Sequence, residues 1–268
     1  NLTGGAVDET VSGVNIKFAD GTAVQRIRAT DVVVKVDGFV EFTGDFVFEK
    51  TGTDANLKVV TTGKDVSAFL GVAGVGVQVT DATFGLVLVD DGAGAAYALQ
   101  ASGDVQLTGV PGVTLSGAIS VEINQTGAAV NETIGGVTVS FTDGTAVQRF
   151  SGTGLELVLG DFVALTGNFR FEKTGASPNA EILIGANDVS ASVGAAGVAV
   201  TLRDGELGLL LEEDGDYAVV ATGALALAGV SGVGMSGRVA VRVNKTRKAV
   251  SRAIGGVSID FADGTEIE

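Results

Sequence analysis

The side chains able to do chemistry in this sequence are carboxylates and amides, because it contains no His and no Cys. That absence excludes a Ser-His-Asp triad, a thiol nucleophile and any His/Cys zinc or haem site. Six carboxylates recur at a fixed distance: Glu9, Asp20, Glu49, Asp65, Asp81 and Asp91 have acidic counterparts 123 residues on. Paired carboxylates can hydrolyse glycosides. Glu49 and Asp20, however, fall on polar strand faces or turns, where solvated side chains are the rule, and an enzyme has little use for a duplicated site. We expect no catalytic, cofactor-binding or metal-binding residue, and not an enzyme.

Two further patterns have both a chemical and a structural reading. Acidic turns at Asp20-Gly21, Asp90-Asp91-Gly92, Glu212 to Asp216 and Asp263-Gly264 could offer oxygens to calcium. Asp-Gly also favours tight turns for conformational reasons alone, and no EF-hand loop or Gly-Gly-x-Gly-x-Asp run accompanies it. Asn1, Asn124, Asn131 and Asn244 each begin an Asn-x-Thr acceptor pattern for N-glycosylation. Three of them hold one repeat position, where an Asn bonding back to its own chain explains the pattern equally well.

These residues need elements to position them, and composition limits which. The 268 residues include 41 Gly and are 46% apolar but only 6% aromatic, with a net charge of −15. A chain this acidic lacks the basic face that nucleic acid requires. Its apolar content can bury a sizeable core, so disorder is excluded. No uninterrupted apolar run of about 18 residues offers a spanning helix.

Self-comparison supplies the organisation. Asp20 to Arg26 returns as Asp143 to Arg149, Phe48 to Gly52 as Phe171 to Gly175, and Asp65 to Ala68 as Asp188 to Ala191. The offset is 123 residues and becomes 120 after Tyr97, which matches Tyr217. We read residues 1–123 as repeat 1, 124–243 as repeat 2, and 244–268 as the start of a truncated third. A longer array is the expectation.

Alternation assigns the elements to strands. Val40, Phe42, Gly44, Phe46 and Phe48 alternate with Glu41, Thr43, Asp45, Val47 and Glu49. Tyr97 to Leu107 and Val113 to Ile123 behave alike, and each such segment has a central Gly on its apolar side. A bend or close backbone approach in a curled sheet explains those glycines. Parity breaks near Gly63 to Asp65 and near Thr80 to Thr83, which either a hairpin or a bulge would produce. The fold class is all-β: an antiparallel meander of long strands in repeats of ~120 residues. With one apolar face nearly throughout, the sheet should roll into a tube, sandwich or barrel-like array.

The stretches Val113 to Thr133 and Phe162-Val-Ala-Leu-Thr-Gly-Asn-Phe-Arg-Phe-Glu172 resemble units of giant secreted bacterial repeat proteins. These are the Val/Gly/Thr-rich arrays described as RTX-like or adhesin-like. The resemblance covers both repeats and implies secretion and a surface or matrix role. An extracellular structural module, a spacer or filament-forming segment, is therefore the leading expectation. A lipid or hydrophobe carrier with an apolar groove is the alternative. An outer-membrane barrel matches the strand length but lacks aromatic girdles. The expected partner is the protein itself, head to tail, through open sheet edges. No nucleic acid or small-molecule substrate is expected, and any membrane or cell-surface attachment would use parts outside this chain. Calcium remains the one conceivable cofactor.

Overall fold

The computed structural model describes residues 1–36, 40–52, 57–72, 74–90, 94–160, 162–175, 179–195, 197–264, 266 and 267, without the side chains of 34–36, 40–42, 71, 72, 266 and 267. The expected Asp91-Gly92 turn and the side chain of Phe42 lie outside the described residues.

Every regular element among the described residues is a strand. The first group comprises β1 (Val7–Val11), β2 (Val14–Phe18), β3 (Val24–Val36), β4 (Val40–Thr51), β5 (Leu57–Val72), β6 (Val75–Asp90), β7 (Ala95–Thr108) and β8 (Val113–Asn124). The second follows in the same order: β9 (Val130–Ile134), β10 (Val137–Phe141), β11 (Val147–Leu159), β12 (Val163–Thr174), β13 (Glu181–Ala195), β14 (Val198–Glu212), β15 (Tyr217–Ala228) and β16 (Met235–Asn244). After them come β17 (Val250–Ile254), β18 (Val257–Phe261) and the two-residue β19 (Glu266–Ile267). The strand expected at 257–261 is therefore present.

Twelve long strands form one antiparallel meander, in the order β3 to β8 and then β11 to β16, with β19 at the far edge. The short strands stand apart as three hairpins, β1–β2, β9–β10 and β17–β18. Each turns on two left-handed residues: Ser12-Gly13, Gly135-Gly136 and Gly255-Gly256. That is the tight turn whose twist suits flanking strands.

The parity breaks are bulges, not turns. Strands β5 and β6 run 16 residues each without interruption. Their registers slip at Gly63/Val66 and Thr80/Thr83, and β13 and β14 slip at Ala186/Val189 and Arg203/Glu206. A left-handed Asp stands at each slip: Asp65, Asp81, Asp188 and Asp204, all with φ near 50°. Asp tolerates that conformation better than most residues, which gives these recurrent acids a structural role. An extra residue at similar heights in neighbouring strands bends the sheet along a line.

The central glycines lie along this bend. A Cβ on Gly44 would stand 2.9 Å from Val66 Cγ2, and one on Gly117 would stand 2.7 Å from Leu155 Cδ2. Each bulge thus pushes an aliphatic side chain into space that a glycine leaves on the next strand.

Closure is where the structure departs from expectation. Strand β3 and the β16–β19 edge do not pair with one another, so the sheet is open and is not a barrel. Nor is the apolar face buried against a second sheet. Phe48, Leu88, Phe150 and Phe171 on that face remain between 39 and 45% exposed. Bending at the bulges gathers this face without closing it. The best-buried side chains, among them Val47, Val60, Val87 and Ala98, belong to the opposite face.

Replacing Gly44 by Val should force Val66 aside and lower stability by roughly 1–3 kcal/mol, measured by denaturant unfolding.

Candidate functional site: where hairpin meets sheet

The opposite face is buried because a hairpin sits on it. Within β9–β10 the register places Val130 opposite Phe141, Glu132 opposite Val139, and Ile134 opposite Val137. Alternation about the Gly-Gly turn gathers these six onto one side. They pack on a row that crosses the sheet in register, Val60 beside Val87 beside Ala98. Hairpin β17–β18 does the same over Leu183, Leu210 and Ala218. So residues 130–141 cover the strands of residues 57–108, and residues 250–261 cover those of residues 181–228.

A glycine notch makes room for each hairpin. Val139 lies over Gly85, and Ile259 Cγ1 is 2.7 Å from where a Cβ on Gly208 would be. Val139 and Ile259 are both 0% exposed. Burying such a side chain contributes about 1.5–3 kcal/mol, so the apolar face of the hairpin dominates the attachment.

Polar contacts fix the register. Thr62 donates to the carbonyl of Ile134 at 3.3 Å, and Asn187 donates to that of Gly255 at 2.6 Å. Lys58 meets Glu132 at 2.7 Å. At the other hairpin Arg252 grips Glu181 with two bonds, 2.9 and 2.8 Å.

Each row ends on a buried Asn. Ala98 pairs with Asn124, and Ala218 with Asn244. Asn124 donates at 3.1 Å to the carbonyls of both Ala128 and Asp143, and its Oδ1 accepts from the Thr126 amide and hydroxyl. Asn244 holds Lys248, Asp263 and Thr246 in the same way, and Asn1 holds Gly5, Asp20 and Thr3. This Asn-x-Thr is a staple that fixes the path into each hairpin. With 0 and 2% exposure, Asn124 and Asn244 have no room for a glycan, whereas Asn131 is exposed on its hairpin.

Several of the recurrent acids have structural partners. Asp20 and Asp143 accept from the amides of Thr22 and Thr145; the Thr22 hydroxyl and amide hold the Asp20 carboxyl below its ordinary pKa, and the Thr145 amide and hydroxyl do the same for Asp143. Glu49 bonds Arg26, and Glu172 bonds Arg149, which also reaches Glu122 on β8. Among the described residues no three acidic side chains converge as a metal site. Alternation alone did not reveal the hairpins. The signal that could have found them is Gly-Gly between short alternating runs, at 135–136 and 255–256.

A second feature lies on the half-open face. A cleft of about 570 Å³ is lined by Phe46, Val66, Phe84, Leu99, Ala101 and Ile119, almost without polar groups. Comparison with known proteins finds no matching family model, no matching curated protein and no matching solved structure.

Three outcomes are expected. Ile259→Ala should cost about 2–4 kcal/mol by denaturant unfolding, whereas Ile16→Ala, at the matching but 43% exposed position, should cost under about 1. Asn124→Ala orphans two carbonyls and an amide, and should cost about 2–4 kcal/mol in the same measurement. The third concerns pH. Bonding to Arg252 holds the Glu181 carboxyl below its ordinary pKa, so this contribution is complete above the unfolded pKa and is lost as pH falls through the lowered folded one. The protection of amides 257–261, read as exchange relative to unstructured peptide at the same pH, should therefore fall in that acidic window.

Proposed function

We propose that this chain is an extracellular structural repeat module, a spacer or filament-forming segment of a giant bacterial adhesin or matrix protein, acting by stacking repeat on repeat. The observation that carries this reading is the double attachment between residues 1–123 and 124–243. Strand β11 pairs with β8 along almost its whole length, from Val147 opposite Asn124 to Leu159 opposite Val113. Over the same junction, hairpin 130–141 covers the preceding sheet. Units joined by both a ladder and a buried face add length without adding a linker. The resemblance to secreted arrays supports the cell-surface or extracellular location. No enzymatic role is proposed.

The apolar cleft favours one second reading, a lipid or hydrophobe carrier. Its volume lies in the range of small-molecule sites, and its lining suits an acyl chain better than a polar ligand. Two measurements separate the readings. Small-angle scattering of the purified chain should report an elongated particle, and a compact globule would overturn the structural module. Organic extraction followed by mass spectrometry should find no stoichiometric lipid. Finding it would favour the carrier.

A further inference from the structure

Three hairpins of one design occur here, and two of them are seated. Val130, Ile134, Val137 and Val139 are buried at the first seat, and Val250, Ile254, Val257, Ile259 and Phe261 at the second. The matching residues of hairpin 7–18 face solvent: Val11, Val14 and Ile16 are 59, 64 and 43% exposed. Its register is that of the others, with Glu9 opposite Ile16 as Glu132 is opposite Val139 and Arg252 opposite Ile259.

The seated junctions differ in the sign of their charges. On the hairpin, the matched positions are Glu9, Glu132 and Arg252. On the seat they are Lys58, which meets Glu132, and Glu181, which meets Arg252. A second matched pair lies on the ladder between repeats. Glu122 on β8 stands opposite Arg149 on β11, with 2.6 Å between their charged atoms. Arg26 holds the place of Arg149 in the first repeat, and Arg242 holds the place of Glu122 in the second.

The start of the chain thus presents Glu9 and Arg26, the same signs as Glu132 and Arg149. It complements a sheet bearing Lys58 and Glu122. Joined instead to the end of the second repeat, it would set Glu9 on Glu181 and Arg26 opposite Arg242. Like charges directly opposite on a sheet destabilise the pair.

We propose that hairpin 7–18, together with the outer edge of β3, is a docking surface for a second copy of the 1–123 repeat, selected by Lys58 and Glu122. The 124–243 repeat is the disfavoured partner. This inference rests on the stacking reading above and narrows it. Apolar burial supplies most of the attachment at either seat, while partly exposed ion pairs contribute little to strength and so act in the choice.

The test extends the full chain at its start. One version places a second copy of residues 1–123 directly before Asn1, and the other a second copy of 124–243. Asn1 then takes the place of Asn124 or of Asn244. Amide exchange is read over 14–18, with 137–141 of the same molecule as the reference for a seated hairpin. In the first version 14–18 should be protected to the level of 137–141, and in the second about tenfold less. Glu9→Arg should slow exchange in the second version and speed it in the first. Equal protection in both versions would overturn the charge selection and leave stacking standing. Exchange in both as fast as in the unextended chain would overturn stacking itself.

Discussion

The structure depends on burying one face of a two-stranded hairpin against a sheet that has no other cover. An isolated hairpin is marginal in water, and an open sheet leaves its apolar side chains half wet. Put together, Val130, Ile134, Val137 and Val139 close over Val47, Val60, Val87 and Ala98. Gly85 and Gly208 set the distance, because a methyl group at either position would hold the hairpin away. Each seated hairpin lies beyond the strands it covers, along the chain, so the same contact joins residues 57–108 to 130–141 and residues 181–228 to 250–261.

Much of the remaining sequence serves that contact. The buried Asn at the end of β8 and of β16 determines where the chain leaves the sheet, and its four hydrogen-bonding positions are all occupied, three by the local turn and one by the carbonyl of Asp143 or Asp263. Arg149, between Glu122 and Glu172, ties β11 to β8 on one side and to β12 on the other. Charge on partly exposed pairs adds little to stability, so the sign can change from one junction to the next while the packing stays the same. Lys58–Glu132 and Glu181–Arg252 show that change.

The bulges do a different task. A straight sheet of strands this long would present its Phe-rich face flat to solvent. Left-handed Asp residues bend it at mid-strand, and glycines on neighbouring strands receive the displaced aliphatic side chains. The cleft at that bend is a consequence of bending without closing.

The strands and their repetition are legible in the sequence by itself, because alternation and offset are local properties of the chain. The all-β meander, the strand at 257–261 and the structural use of the central glycines follow from them. Asp65 and Asp81 mark an irregularity in the same way, but a bulge and a hairpin shift parity alike, and only the ladder partners of Gly63 and Thr80 distinguish the two. Which face is buried was decided by tertiary structure. Phe46 and Phe48 look like core by residue type, yet Val47 between them is the one at 6% exposure, since a hairpin some 80 residues later lands on its side of the sheet. Hydrophobic pattern states which residues prefer to leave water. It carries no information on which distant segment arrives to cover them.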